Sequence, residues 1–509
     1  MEHGSESYYV LGEGLLGESL GGREPTLART AEAATPPFRF SRMGPRGGGK
    51  QIPKGTRKAL ADAMAVAGGG SVGVPAGFTY LGQFIDHDLT FDKTDVMLGE
   101  HVAPAALLQA RSPSLDLDSL YGAGPGDPGS EQFYEADGLH LKMGSTTDDR
   151  QGFDLPRGAG STVAAKRKAI IPDPRNDENL AVAQNHLAMI RFHNRVIDKL
   201  GNVPAGSRFE RARKRVTKHY QWMIRTDFLP RICDASVVND VFTNGRKAFE
   251  VGAAPTDVPT MPIEFSVAAY RLGHSMVRGS YNWNKIFDDG FGTLDLLFAF
   301  SATSGDLGGF PRLISSWIAD FRRLYDFPAG GHATLGVPAA KFNKAMRIDT
   351  RIVNPLQFLP GFTGLEANLA FRNLTRANMV RLATGQQMVT FLKSKGISIT
   401  KLTKAQLRDG DGGADLGSLT QAQRERVLAD TPLWFYILRE AELNGGKLTG
   451  VGARIVAETF HRAMEGSEHS IVRDPAFRPK LGPNNTTFRM TDLLFFAFEG
   501  KKTLLAPLG

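Results

Sequence analysis

Apolar positions in this chain recur mainly at intervals of three and four, the spacing of helices buried along one face. Residues 80–92, YLGQFIDHDLTFD, follow a glycine-rich stretch, and a helix there would project Gln83, Asp86 and His87 from one face while Asp88 points elsewhere. In residues 171–201, Leu180, Ala183, Leu187, Ile190 and Ile197 mark a second helix, with Pro174, Asn176 and Asp177 as its start signal. A third helix is predicted over 208–227. Residues 263–278, IEFSVAAYRLGHSMVR, carry a stripe of Phe265, Ala268, Ala269 and Leu272, and His274 sits between the small residues Gly273 and Ser275. Further helices are predicted over 365–395, 420–443 and 454–464, separated by Gly/Asp-rich loops such as 409–417. Alternating strand patterns are few. The expected fold is mainly α, one large helical domain over 76–509 behind an irregular Gly/Pro-rich arm over 1–75.

Composition narrows the function classes. The formal charge of +8 over 509 residues is modest, and the basic runs at 211–218 (RARKRVTK) and 166–168 lack interleaved aromatics. They read as solvated helix faces, so no nucleic-acid partner is expected. Cys233 is the sole cysteine, which excludes an intrachain disulfide and a zinc–thiolate site. The N-terminal sequence has no basic segment leading into an apolar core, and no apolar run is long enough to span a bilayer. A soluble chain with no membrane span and no Sec-type signal is expected, cytoplasmic or exported by another route. Without such a signal the sequons at Asn484 and Asn485 read as chance matches. Residues 44–50, GPRGGGK, have P-loop spacing, but Gln51 stands where Ser or Thr would hold magnesium.

The candidate chemistry is concentrated in a few stretches. His87 lies between two aspartates in apolar surroundings, an arrangement that offers a base, a carboxylate and an amide to one pocket. In residues 112–122, SPSLDLDSLYG, Asp116 and Asp118 alternate in a short extended run, which suits either an Asx-type turn or convergent hard oxygen ligands for Ca²⁺. His186 and His193 share a helix face but lie two turns apart, too far for one ion, and read as structural. Arg175 and Glu178 stand at a helix start, where side chains reach into a cleft.

Four pieces in order, GQFIDHD, PRNDE, AAYRLGH and FRNLTR, closely resemble the animal-type haem peroxidases of the peroxidase-cyclooxygenase superfamily, the group of myeloperoxidase and lactoperoxidase. The resemblance runs from about residue 75 to 465, and SPSLDLDSLYG matches the family's calcium loop. It implies haem b and Ca²⁺ as cofactors and H₂O₂ as a substrate, with halides, thiocyanate or phenols as small reducing partners oxidised through Compound I. It further implies His87 as acid/base, Arg175 as charge stabiliser and Gln83 as the amide that orders water or a halide. His274 would ligate the haem iron, with Asn373 accepting a hydrogen bond from its other nitrogen, and Arg271 and Arg376 would pair with the propionates. Asp86 and Glu178 match the carboxylates that ester-link haem. Asn179 replaces the methionine of myeloperoxidase's third haem bond. Asp88, Ser112, Asp116, Asp118 and the carbonyl of Ser114 map onto the calcium site, although Ser114 stands where an aromatic is usual and Asp118 where a serine is usual.

Three other readings stay open. A fatty-acid dioxygenase of the same superfamily needs a tyrosine beside the haem, but Tyr270 lies four residues before His274 rather than three. A non-catalytic haem-binding protein would leave the pairing of His87 with Arg175 without a purpose. A metal hydrolase could be built on Asp86, His87 and Asp88.

Overall fold

A computed structural model describes residues 38–48, 51–65, 70–94 and 96–509. Among these the architecture is mainly α-helical, as expected, and the strands form short two-stranded ribbons such as Phe40–Ser41 with Met261–Pro262 and Ser71–Pro75 with Lys344–Met346.

The helix Leu180–Asp198 lies at the centre. Its apolar stripe broadens until nearly every residue is buried, because Gly77–Leu89, Arg208–Met223 and Met490–Ala497 pack around it. A helix enclosed in this way must satisfy its polar residues internally. Asn185 Oδ1 accepts from the Tyr325 hydroxyl at 2.6 Å, and Gln184 Oε1 accepts from the Ala319 amide at 3.3 Å. The expected start at Pro174 is corrected. Pro174–Asp177 forms a separate 3₁₀ turn in which Asp173 accepts from the Arg175 amide at 3.0 Å. The α-helix begins at Asn179, whose side chain caps it by accepting from the Val182 amide at 2.9 Å.

The helix Gly77–Leu89 crosses this centre and is likewise buried almost all round. It starts where only glycine fits, since a Cβ at Gly77 would come within 2.4 Å of the Tyr325 ring. Arg208–Met223 buries Phe209, Ala212, Val216 and Tyr220 and exposes Arg211 and Lys214, then runs through a wide turn, Ile224–Phe228, into Leu229–Ile232.

Three predicted helices prove discontinuous. Residues 263–278 divide into the short turns Ile263–Ser266, Ala269–Leu272 and Gly273–Met276. Side chains capture carbonyls that a helical ladder would use: Arg271 Nε donates to Ser266 O at 3.0 Å, and Trp434 Nε1 donates to Arg271 O at 3.3 Å. Residues 365–395 form Leu369–Met379 and Gly385–Ser394, broken where Arg381 takes a φ of 47° and Thr384 opens a capping box with Gln387. Residues 420–443 form Gln421–Ala429 and Leu433–Glu442, interrupted at Pro432. The last predicted helix lies within Gly450–Glu465.

Of the expected arm, residues 1–37 lie outside the described residues. Its described part includes the helix Lys54–Met64, which buries Leu60, Ala61 and Met64 and packs against Leu369–Met379. In the stretch 44–50, the Gly44 and Gly47 amides donate to Glu264 Oε1 at 3.2 Å and to Arg381 O at 2.9 Å, while Gly49 and Lys50 lie outside the described residues. No described helix is long and apolar enough to cross a membrane.

Candidate functional site

One face of Gly77–Leu89 and the segment carrying His274 line a cavity. Gln83 and Asp86 line it from the helix, Tyr270 and His274 from the opposite segment, and Phe78 and Phe228 supply apolar wall. A second cavity is lined by Thr90, Asp92, Arg271 and Arg376, among others. Arg271 and Arg376 therefore face one space, with Arg376 Nη2 3.9 Å from Asp92.

His87 projects from the same helix, fully buried. Its Nδ1 lies 2.9 Å from Asn176 Oδ1, and a carbonyl oxygen can only accept, so the ring proton sits on Nδ1 and the lone pair on Nε2. That Nε2 makes no hydrogen bond and lies 3.6 Å from Glu178 Oε1. Burial, reinforced by the charge of Arg175, pushes His87 down to about 3, so the ring is neutral at pH 7. Gln83 Nε2 donates to Glu178 Oε1, and Gln83 Oε1 accepts from Asn179 Nδ2 at 3.0 Å. Gln83, His87 and Glu178 thus meet around one carboxylate oxygen.

Arg175 is fully buried and orientated by Asp173. Its Nε donates to Asp173 Oδ1 at 3.0 Å and its Nη2 to Asp173 Oδ2 at 2.7 Å, while Nη2 also donates to His87 O at 3.1 Å. The guanidinium stacks 4.2 Å from the centroid of Phe91. Burial opposes ionisation of Asp173, but Arg175 and Arg111 outweigh it and hold the carboxyl well below its usual range. Asp86 receives less compensation. Burial raises it to about 6, against the partial relief of Arg175 and Arg271.

Opposite, His274 Nδ1 lies 2.8 Å from Asn373 Nδ2, while Asn373 Oδ1 accepts from Arg271 Nη1 at 3.0 Å. The expected pairing of His274 with Asn373 is present with the amide turned the other way from the accepting role expected of it. Arg271 can only donate and takes the amide oxygen, which leaves the amide nitrogen facing the ring.

Behind His87, carboxylate oxygens of Asp88, Asp116 and Asp118 lie within 4.8 Å of one another. Ser112 Oγ donates to Asp116 at 3.0 Å, the Ser112 amide donates to Asp118 at 3.1 Å, and the Ser114 carbonyl accepts from the Asp116 amide at 3.0 Å. The predicted extended run ends at Leu117, which takes a left-handed φ of 64°, and Asp118 opens a helical turn, Asp118–Tyr121. Burial raises all three carboxyls above their usual range; repulsion from Asp118 adds to it at Asp88 and Asp116, while at Asp118 itself Arg111 gives partial relief.

His193 is hydrogen-bonded to the Tyr121 hydroxyl at 2.9 Å and to Leu139 O at 2.8 Å, and His186 packs against Phe84; neither lines the cavity. Sequence reasoning missed Asn176, Asp173 and Arg111. The first two lie inside the PRNDE stretch and its flank and could have been found from their spacing to Arg175. Nothing in the sequence marks Arg111.

Comparison with known proteins finds a family match over part of the chain. Residues 91–316 match the animal haem peroxidase family. A peroxidase-like protein of Margaritifera margaritifera is 29% identical over 114 residues, which are 22% of this chain and 14% of that one. Thyroid peroxidase of Rattus norvegicus is 27% identical over 175 residues, 32% of this chain and 19% of that one. Among solved structures, peroxidase A of Dictyostelium discoideum aligns over 92% of this chain and 94% of its own, with a TM-score of 0.59 at 15% identity. The fatty acid α-dioxygenase of Arabidopsis thaliana aligns over 92% of this chain and 79% of its own, with a TM-score of 0.55 at 13% identity. At such identities the structural likeness is one of fold. The family match covers residues 91–316, and the likeness of fold extends over most of the chain.

Proposed function

We propose that this protein is a haem peroxidase that reduces H₂O₂ and oxidises small donors. The observation that carries the reading is His87: buried, neutral, its tautomer set by Asn176, and its Nε2 lone pair free of hydrogen bonds beside Arg175.

The residues present suit a haem. His274 and Asp86 line one cavity, and Arg271 and Arg376 line the other, a disposition that suits an apolar macrocycle with carboxylate substituents. His274 would hold the iron, and Arg271 with Arg376 would pair with the propionates. His274 would offer a ring nitrogen to the iron, and Asn373, already within hydrogen-bond distance of His274 Nδ1, would fix the tautomer by accepting from it with its amide turned over. Bound haem supplies the redox equivalents and the site to which peroxide binds.

The protein's own groups handle the protons and the charge. His87 Nε2 takes a proton from H₂O₂ and returns it to the departing oxygen, which leaves as water. Arg175, permanently charged and fixed by Asp173, stabilises the negative charge that develops as the O–O bond breaks. Gln83 orders water or an anion in the cavity. Asp86 and Glu178 would supply the carboxylates for ester links to haem, formed with peroxide as the oxidant, and haem is then expected to remain on the protein after peroxide treatment and acid-acetone extraction. The Asp88, Asp116 and Asp118 cluster, with Ser112 and the Ser114 carbonyl, would bind one Ca²⁺. Metal analysis should find one calcium per chain.

A second reading, a fatty-acid dioxygenase, is favoured by one observation. The Tyr270 hydroxyl is buried without a hydrogen-bond partner, and Tyr270 lines the cavity shared by His274 and Gln83. The deciding experiment compares H₂O₂-dependent oxidation of phenol, iodide and thiocyanate with O₂ uptake on linoleate. Turnover of the small donors supports the peroxidase; rapid O₂ uptake without such turnover replaces it with the dioxygenase.

A further inference from the structure

Four charged side chains connect the acidic cluster to Arg175. Asp118 Oδ1 lies 3.4 Å from Arg111 Nη1, Arg111 Nη2 donates to Asp173 Oδ2 at 2.6 Å, and Asp173 holds Arg175 through both its oxygens. Arg111 is 6% exposed, and Asp173 and Arg175 are fully buried. The ring of Phe91 fills the space between the guanidiniums, 5.6 Å from Arg111 and 4.2 Å from Arg175. Arg175 alone already matches Asp173 in charge and geometry, so a second buried guanidinium is more than that carboxylate needs. Its other nitrogen faces Asp118. Across the line from Asp88 to Arg175, four carboxylates face two guanidiniums, a shortfall that a divalent cation would fill.

We infer that Arg111 is a positioning residue whose fork, shared between Asp118 and Asp173, couples the charge of the acidic cluster to the grip of Asp173 on Arg175. A cation at the cluster neutralises Asp118 and releases Arg111 to Asp173. The charge of Asp173 is then divided between two guanidiniums, and Arg175 presents more of its own to an anion in the cavity. Removal of the cation draws Arg111 toward Asp118, and Asp173 engages Arg175 alone. This inference rests on the proposed role of Arg175.

Azide binding to the ferric haem-loaded protein, followed by absorbance with and without a calcium chelator, tests it. Chelation should weaken azide binding to the wild type about fivefold or more, and calcium affinity should rise by the same factor when azide is bound. Arg111→Met should bind azide weakly whether or not calcium is present, with a chelation effect below about twofold on the same scale. Arg111→Lys keeps the charge but cannot bridge two carboxylates, and should show the same insensitivity. Asp118→Asn should lose the chelation effect from the other side, holding azide after chelation at least as tightly as the wild type holds it before. If Arg111→Met fails to load haem, Asp118→Asn decides alone. A wild-type chelation effect in either Arg111→Met or Asp118→Asn, or no chelation effect in the wild type, overturns the coupling. Arg175→Met separates the two levels of the account. If it weakens azide while Arg111→Met does not, only this inference fails; if it binds azide like the wild type, the role of Arg175 fails as well.

Discussion

His87 and His274 are held by backbones of different kinds. His87 belongs to a regular helix, Gly77–Leu89, and is surrounded by charge: Arg175 and Asp173 on one side, Glu178 on another and the acidic cluster behind. His274 belongs to a chain of short turns, and its polar neighbourhood centres on an amide, Asn373, and a guanidinium, Arg271. In the proposed reading His87 moves protons and needs its basicity and tautomer set by neighbours, which Asn176 and the charged network around it supply. A group that must stay neutral and point in one direction needs an inelastic mount. The captured carbonyls of Ser266 and Arg271 provide it.

This contrast is broken most forcefully on the His87 side. His87→Ala and Arg175→Met should retain haem yet react with H₂O₂ about 10²- to 10⁴-fold more slowly in stopped flow, since that is the usual contribution of positioned acid–base catalysis. Rates within a few-fold of wild type would mean that the network serves stability alone. Asp173→Ala should cost about 3–5 kcal/mol in denaturant unfolding, because it leaves two buried guanidiniums without their shared partner. A loss below about 1 kcal/mol, typical of an exposed pair, would show that water reaches this network.

A pH experiment on the haem-free protein sharpens the picture. The carboxyl of Asp86 titrates at about 6 in the folded chain, above the ordinary aspartate range, so the folded state holds this proton more tightly than the unfolded one. Its contribution to stability is present at low pH and is lost as pH rises through about 6. Asp86→Asn removes that loss, and its melting temperature should gain on the wild type between about pH 4 and 6. An unchanging difference across this range would mean that Asp86 is solvated. The smallest effect is expected at Asn179→Ala, which removes a helix cap and the contact with Gln83 and should cost about 1 kcal/mol by thermal melting.

Much of the molecule was legible from its residues. Leu180–Asp198 was readable because its largest apolar residues keep a three-four spacing, although nearly every residue between them is also buried. Gln83 and Asp86 share a lining strip as their spacing suggested, whereas His87 is buried beside Glu178 and is in the lining of neither cavity described. Breaks at Pro432 and Thr384 carry local signals, a proline and a capping box, that the longer apolar pattern masked. The division of residues 263–278 has no such signal, because Trp434, which takes the carbonyl of Arg271, is distant in sequence. Arg111 was invisible on the same grounds: its role depends on Asp173, 62 residues away, and on Asp118, and gains meaning only when the two are seen together.

The central claim, that His274 holds the haem from the side of the cavity opposite the helix that carries His87, is tested most directly by removing the ring and returning it from solution. His274→Gly should load haem poorly or show an altered ferric absorption spectrum, and added imidazole should restore the wild-type spectrum. A His274→Gly protein whose spectrum already equals the wild type, and which imidazole leaves unchanged, would contradict the account.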